Sequence, residues 1–169
     1  MDVMDAGLLI VRMVVGLLMA AHGSQKAFGW FGGYGLAGTA GFMESLGFRP
    51  GRFFAATAAG TEIVGGLLLA LGLLGPLGPA LIISVMIVAM ATVHWAHGVF
   101  AANNGIEVPL LYATTAAAIG LIGNGAFSLD ALLSLTWAPE VVYVVLGLGI
   151  VGGFANLAIR KTAPTAAHV

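Results

Sequence analysis

The sequence predicts an all-α integral membrane protein, and three observations carry that expectation. Of the 169 residues, 60% are hydrophobic and only 8% are charged, and long apolar runs recur between short polar breaks. A soluble domain carries charge on about a quarter of its residues. With a mean hydropathy of +1.04, this chain has too little polar surface to face water. Glycine, at 26 residues, suits helices that approach closely in lipid.

Several function classes fall away at once. The net charge is −1 and no basic run is present, so nucleic acid is not an expected partner. With no cysteine, this chain alone cannot perform disulfide exchange or hold a thiolate metal or iron–sulfur site. No metal-ligand set is expected. The N-terminus MDVMDAG has two acids and no positive region, so the first apolar run is expected to be a retained helix and not a cleaved signal peptide.

Taken in order, residues 7–28 form a first span, interrupted by Arg12, His22, Gln25 and Lys26. At roughly 100° per residue, Arg12, Gly16, Met19, His22, Gly23 and Lys26 fall on one side of it. Residues 29–51 form a glycine-rich loop with Trp30, Phe31 and Tyr34 at headgroup level. Leu36, Met43 and Leu46 there keep helical spacing, which predicts a short interfacial helix before Gly47 and Pro50. A second span, 53–74, carries one charge, Glu62, and glycines 60, 65, 66 and 72 that offer a flat packing side. GPLGP at 75–79 is a tight turn.

A third span follows to about His97, apolar until His94, Trp95 and His97. The loop 98–107 contains the turn formers Asn103, Asn104 and Gly105. A short fourth span covers about 108–122, and Leu129, Leu132 and Leu133 predict an amphipathic turn at the surface. Pro139 opens a fifth span, apolar from 141 to 159 and closed by Arg160 and Lys161. GLGIVG at 147–152 is literally G-x-G-x-x-G. Without further βαβ units or an acid about 20 positions on, it is expected to be helix-packing glycines and not a dinucleotide fingerprint.

Five spans place the termini on opposite sides. Lys26, Arg49, Arg52, Arg160 and Lys161 fall on one side, and Asp2, Asp5, Asp130 and Glu140 on the other. The positive-inside rule then predicts a multi-pass protein with its N-terminus out and C-terminus in. The same alternation brings His22, Gln25 and Lys26 to the face that receives His94, Trp95, His97, Asn104 and Glu107, a set that predicts a polar pocket between the first, third and fourth spans. Each also has a plainer role open to it: histidines bonded to loop carbonyls, a lysine snorkelling to headgroups. Deeper in the bilayer, Glu62 is expected roughly 15 Å from that face and Arg12 roughly 21 Å at 1.5 Å per residue. A buried ion pair is the expectation, serving either helix register or proton handling.

These residues make the chain resemble the DoxX family of small bacterial membrane proteins. The resemblance rests on the arginine of LLIVRMVVGLLMAAHG, the AHGSQKAFGWFGG segment, GLAGTAGFMESLGF, the glutamate of TEIVGGLLLALGLL, and TVHWAHGVFAANNGIEVPLLY. It is expected to run from about Gly7 to Leu133. It implies a four-helix transmembrane bundle over residues 1–135 with a loop at 29–52, to which 136–161 adds a C-terminal transmembrane helix and 162–169 a short tail. It also implies a bacterial cytoplasmic (inner) membrane protein. The family takes its name from a subunit linked to thiosulfate:quinone oxidoreductase, and other members are associated with oxidative-stress and sulfur-handling enzymes.

Two functions follow as expectations. One is a redox subunit with a quinone headgroup among His22, Lys26, His94 and Glu107, since quinone reduction consumes protons that histidines and a carboxylate can relay. Its electrons would come from a soluble or membrane redox partner. The other is a non-enzymatic scaffold that anchors soluble stress-response enzymes. Haem between His22 and His94 is disfavoured, because no second pair or attachment motif accompanies it. A small glycine-rich membrane chain is also expected to pack with copies of itself or with another protein.

Overall fold

The computed structural model describes residues 2–161, so the expected tail at 162–169 lies outside the described residues. Helix α1 spans Val3–Phe28. It starts earlier than its apolar run because the Asp2 carboxylate accepts the Met4 N–H at 3.1 Å and caps the first turn. It stops at Gly29, whose φ of 75° is the left-handed conformation that glycine adopts without strain. Its buried stripe is Arg12, Gly16, Met19, Ala20 and Gly23, close to the predicted one, except that His22 is exposed and Lys26 only partly buried.

The interfacial helix exists as α2, Gly35–Ser45. Helix α3, Gly51–Leu71, ends at Gly72 with φ of 62°, a little short of the predicted end. Helix α4, Leu77–Ala89, begins before Pro79 because a proline in the first turn forfeits no helical hydrogen bond. It continues through a wide turn at Met90–His94 and a tight one at Trp95–His97. Helix α5 is Glu107–Ile122, α6 a single turn at Leu129–Leu132, and α7 is Pro139–Ala158. No strand occurs among the described residues.

Four helices are long and apolar enough to cross a membrane: α1, α3, α4 with its continuation, and α7. Helix α5, with 16 residues, is about 24 Å long, yet it reaches both ends of the bundle. Near its start Tyr112 meets His22 of α1, ring centroids 5.9 Å apart, and just past its end the carbonyl of Asn124 meets Arg12.

Helix α1 packs antiparallel on α3, and α4 packs on α3, α5 and α7. The α1–α3 crossing is close because it is made of glycine. A Cβ added to Gly16 would lie 2.5 Å from the Gly66 carbonyl oxygen, and one on Gly66 2.5 Å from that of Gly16. The α4–α7 contact uses the same device, since a Cβ on Gly149 would lie 2.5 Å from the Ala80 oxygen. Gly149 thus packs helices as its motif predicts, while Gly147 faces open space. Met19, Leu69, Ile82, Met86, Ala116 and Leu146 fill the core between the helices.

The bundle therefore has two ends. The N-terminus, the α3–α4 turn and residues 123–138 share one. The segment 29–50, the loop 98–106 and the end of α7 share the other, where the Lys161 N–H donates to the Gly47 carbonyl at 2.9 Å.

Candidate functional site

Each end holds a buried carboxylate. At the end that carries α2, Glu62 is 2% exposed and takes both oxygens to Lys26 Nζ, whose side chain is 31% exposed. It is the one salt bridge among the described residues. Lys26, not Arg12, is thus the partner of Glu62, and the predicted Arg12–Glu62 pair does not form.

Helix geometry explains the exchange. Gly16 faces Gly66 and Gly23 faces Ala59, so Glu62 stands about level with the α1 turn at residue 20, with Arg12 and Lys26 on either side along the axis. Side chains lean towards the N-terminus of their own helix. Lys26 therefore leans towards Glu62, Glu62 leans towards Lys26 from the antiparallel helix, and Arg12 leans away.

Arg12, 1% exposed, turns to the opposite end. Its guanidinium donates to the carbonyls of Asn124, Phe127 (2.7 Å) and Ala70 (3.3 Å). The Asn124 side-chain amide donates at 2.9 Å to Asp130, so one residue joins the two charges. Asp130, 4% exposed, also accepts the Leu74 N–H (2.8 Å), the Gly75 N–H (2.7 Å) and Trp137 Nε1 (2.9 Å). A cavity of ≈ 640 Å³ opens beside Asp130, Trp137 and Tyr143. With four donors on its two oxygens, however, Asp130 has little capacity left for a ligand.

The predicted polar pocket is dispersed. His22 packs edge-on against Tyr112. Gln25 donates to the Phe31 carbonyl at 3.0 Å, and Glu107 accepts the Ala101 N–H at 2.7 Å. His94 Nδ1 lies 2.8 Å from the Asn104 carbonyl and His97 Nδ1 2.9 Å from that of Val93. Carbonyls only accept, so both Nδ1 atoms carry the proton. Trp95 is 71% exposed. Among the described residues no three His, Asp or Glu side chains converge. A histidine bonded to a loop carbonyl, the plainer of the two expected roles, describes His94, while His97 bonds back to the preceding helical turn.

Gln25 and Lys26 instead line a different space, a cleft of ≈ 510 Å³ between α1 and α2 with Tyr34, Thr39 and Phe42. Thr39 Oγ1 reaches the Lys26 carbonyl at 3.2 Å and so ties α2 to the base of the lysine. The Lys26 ammonium has three donors and Glu62 takes two, which leaves one for an acceptor in the cleft. Thr39 and Phe42 were not legible as site residues, because α2 reads only as an interfacial helix. Asp130 could have been found by counting charges, since with Lys26 on Glu62, Arg12 needs another acid.

A family model described as DoxX matches residues 7–95, just over half of the chain. The chain belongs to the DoxX family. No curated protein and no solved structure matches it. The DoxX match is shorter than the predicted reach to Leu133. It contains Lys26, Glu62 and the α1–α2 cleft entire, together with Arg12, His22, His94 and Trp95, and it stops before His97, Asn104 and Glu107. The partners that hold Arg12, except Ala70, also lie beyond it.

Proposed function

We propose that this DoxX-family protein is a membrane subunit of a redox or oxidative-stress and sulfur-handling system, and that the Lys26–Glu62 pair receives a quinone headgroup in the α1–α2 cleft. The observation that carries this is the buried Glu62 carboxylate held by a lysine that also lines a cleft of ligand size, ≈ 510 Å³. Phe42 and Tyr34 give apolar walls for a ring, and the third Lys26 donor suits a ring carbonyl. A quinone would supply the electron-accepting chemistry. Lys26 would orient its oxygen and hold a proton beside it, and Glu62 would fix the position of the ammonium. Electrons would come from a partner protein, because this chain has no cysteine and no dinucleotide motif.

The test is extraction of quinone from the purified full chain, with Lys26→Met/Glu62→Leu as the comparison. Quinone retained by the native chain and lost by a folded double variant supports the proposal; no quinone in either refutes it. The five cations at the α2 end, Lys26, Arg49, Arg52, Arg160 and Lys161, favour that end as cytoplasmic. The proposed setting is the bacterial inner membrane with the N-terminus outside.

A scaffold is the second reading, favoured by one specific observation. Gln25, His94 and Glu107 serve to fix loops at the α2 end, while Trp30, Phe31, Tyr34 and Trp95 stay exposed there. Such a rigid aromatic surface suits docking of soluble enzymes. Crosslinking in intact cells that captures no stress-response enzyme would remove it.

A further inference from the structure

Four of the six lysine and arginine residues in this chain meet at one corner, although they come from opposite halves of the sequence. The Lys161 N–H donates to the Gly47 carbonyl at 2.9 Å and Arg160 Nε donates to the Leu46 carbonyl. The end of α7 is thereby fastened beside Arg49 and Arg52 at the start of α3. Arg49, Arg52 and Lys161 are exposed.

One acid shares the corner: Glu44 accepts the Gly51 N–H at 3.1 Å, between Arg49 and Arg52, without forming a salt bridge to either. Four cations therefore face a single carboxylate there, and the other acids are engaged elsewhere. Glu62 is taken by Lys26 and Glu107 by the loop at Ala101. Asp5 and Asp130 bond at the opposite end; Asp2 and Glu140 start α1 and α7 there. Under the corner a small groove of ≈ 60 Å³ opens between α3, α4 and α7, lined by Phe48, Phe54, Thr57, Val88 and Asn156 among others. Phe48 adjoins Gly47, and Asn156 lies one turn before Arg160, so the groove sits next to the segments that carry the cations.

We propose that this corner binds an anionic phospholipid, with its phosphate on Arg49, Arg52 and Lys161 and part of an acyl chain against the groove. Charge complementarity commits the site to an anionic headgroup, since clustered cations at the membrane surface attract acidic lipids and discriminate little among neutral ones. The adjoining groove favours a lipid over a free phosphate ion. An anchored lipid would also bridge α3 and α7, which otherwise meet across α4.

The experiment uses the full chain in a neutral detergent with phosphatidylglycerol, phosphatidylcholine and inorganic phosphate as separate probes, read by native mass spectrometry and by the thermal midpoint. Phosphatidylglycerol should bind about tenfold more tightly than phosphatidylcholine. The Arg49→Gln/Arg52→Gln/Lys161→Gln variant should lose that preference while its lipid-free midpoint stays that of the native chain. Equal binding of the two lipids overturns the proposal, as does a folded triple variant that keeps the preference. Displacement of phosphatidylglycerol by millimolar inorganic phosphate overturns the lipid assignment in favour of a soluble phosphate site. If the triple variant does not fold, Arg52→Gln alone must still weaken phosphatidylglycerol selectively.

Discussion

Asp130 and Glu62 are buried almost equally, 4% and 2% exposed, but they are held in different ways. Asp130 is surrounded by four neutral donors, two backbone N–H groups, the Trp137 ring N–H and the buried Asn124 amide, with the Arg12 charge reaching it only through Asn124. Glu62 is held by one flexible ammonium that is itself partly exposed beside a cleft. A carboxylate enclosed by rigid donors cannot change partner without unfolding its surroundings, whereas one held by a single lysine can. The first arrangement suits a structural joint that ties residues 72–75 and 124–137 together. The second suits chemistry.

The sharpest way to break that contrast is Asp130→Ala. It leaves four buried donors without an acceptor and Arg12 without its balancing charge, an expected loss of about 4–5 kcal/mol. In practice little monodisperse protein should be recovered, and what is recovered should unfold far below the native chain on a thermal ramp. A near-native midpoint would mean that Asp130 is as replaceable as a surface acid, and the structural assignment of that end would fail.

Next in size is Gly16→Val, which strikes the crossing between the two centres. The added carbons meet the Gly66 carbonyl and Ala70, so α1 and α3 must separate at a cost of about 2–3 kcal/mol. Because the same register brings Lys26 within reach of Glu62 and sets Arg12 opposite Ala70, both centres should loosen together. Hydrogen exchange confined to one end would show that the two are independently supported.

Much of this architecture was legible in the sequence. The apolar runs gave the helices, the polar stripe of α1 gave most of its buried side, and the glycine-rich segment from Gly29 gave the end of α1; Gly72, read as a packing glycine, instead ends α3. The ion pair was misassigned because counting rise along the axis places Arg12 and Glu62 within reach of each other but ignores the direction in which helical side chains lean. Asp130 was counted as a surface charge because its segment reads as an amphipathic turn, and only its fold against Gly72 reveals the enclosed carboxylate. The histidines do not converge for a related reason: sharing one end of a bundle does not bring side chains together when each finds a separate partner, Tyr112 for His22, the Asn104 carbonyl for His94 and the Val93 carbonyl for His97.

The third prediction separates stability from chemistry at Glu62. Glu62→Gln leaves Lys26 a route to water along its stem, so the loss should be about 1–2 kcal/mol, well below that of Asp130→Ala. Lys26→Met/Glu62→Leu should return to within about 1 kcal/mol of the native chain, because an apolar pair of similar volume can replace a buried ion pair. If the double variant folds and also retains bound quinone, the pair is a packing feature and the α1–α2 cleft loses its chemical centre.

The smallest effect is expected at the histidines. His94→Ala removes one hydrogen bond to the Asn104 carbonyl and His97→Ala one to the Val93 carbonyl, each worth about 0.5–1.5 kcal/mol. The loop 98–106 should exchange its amide hydrogens faster in His94→Ala, and the turn 93–97 in His97→Ala, while quinone retention is unchanged in both. Because these side chains lie away from the cleft lined by Lys26, loss of quinone in His94→Ala with the Lys26–Glu62 pair intact would move the candidate site to the α4 end. Glu62 would then join Asp130 as structure, and the contrast between the two carboxylates would disappear.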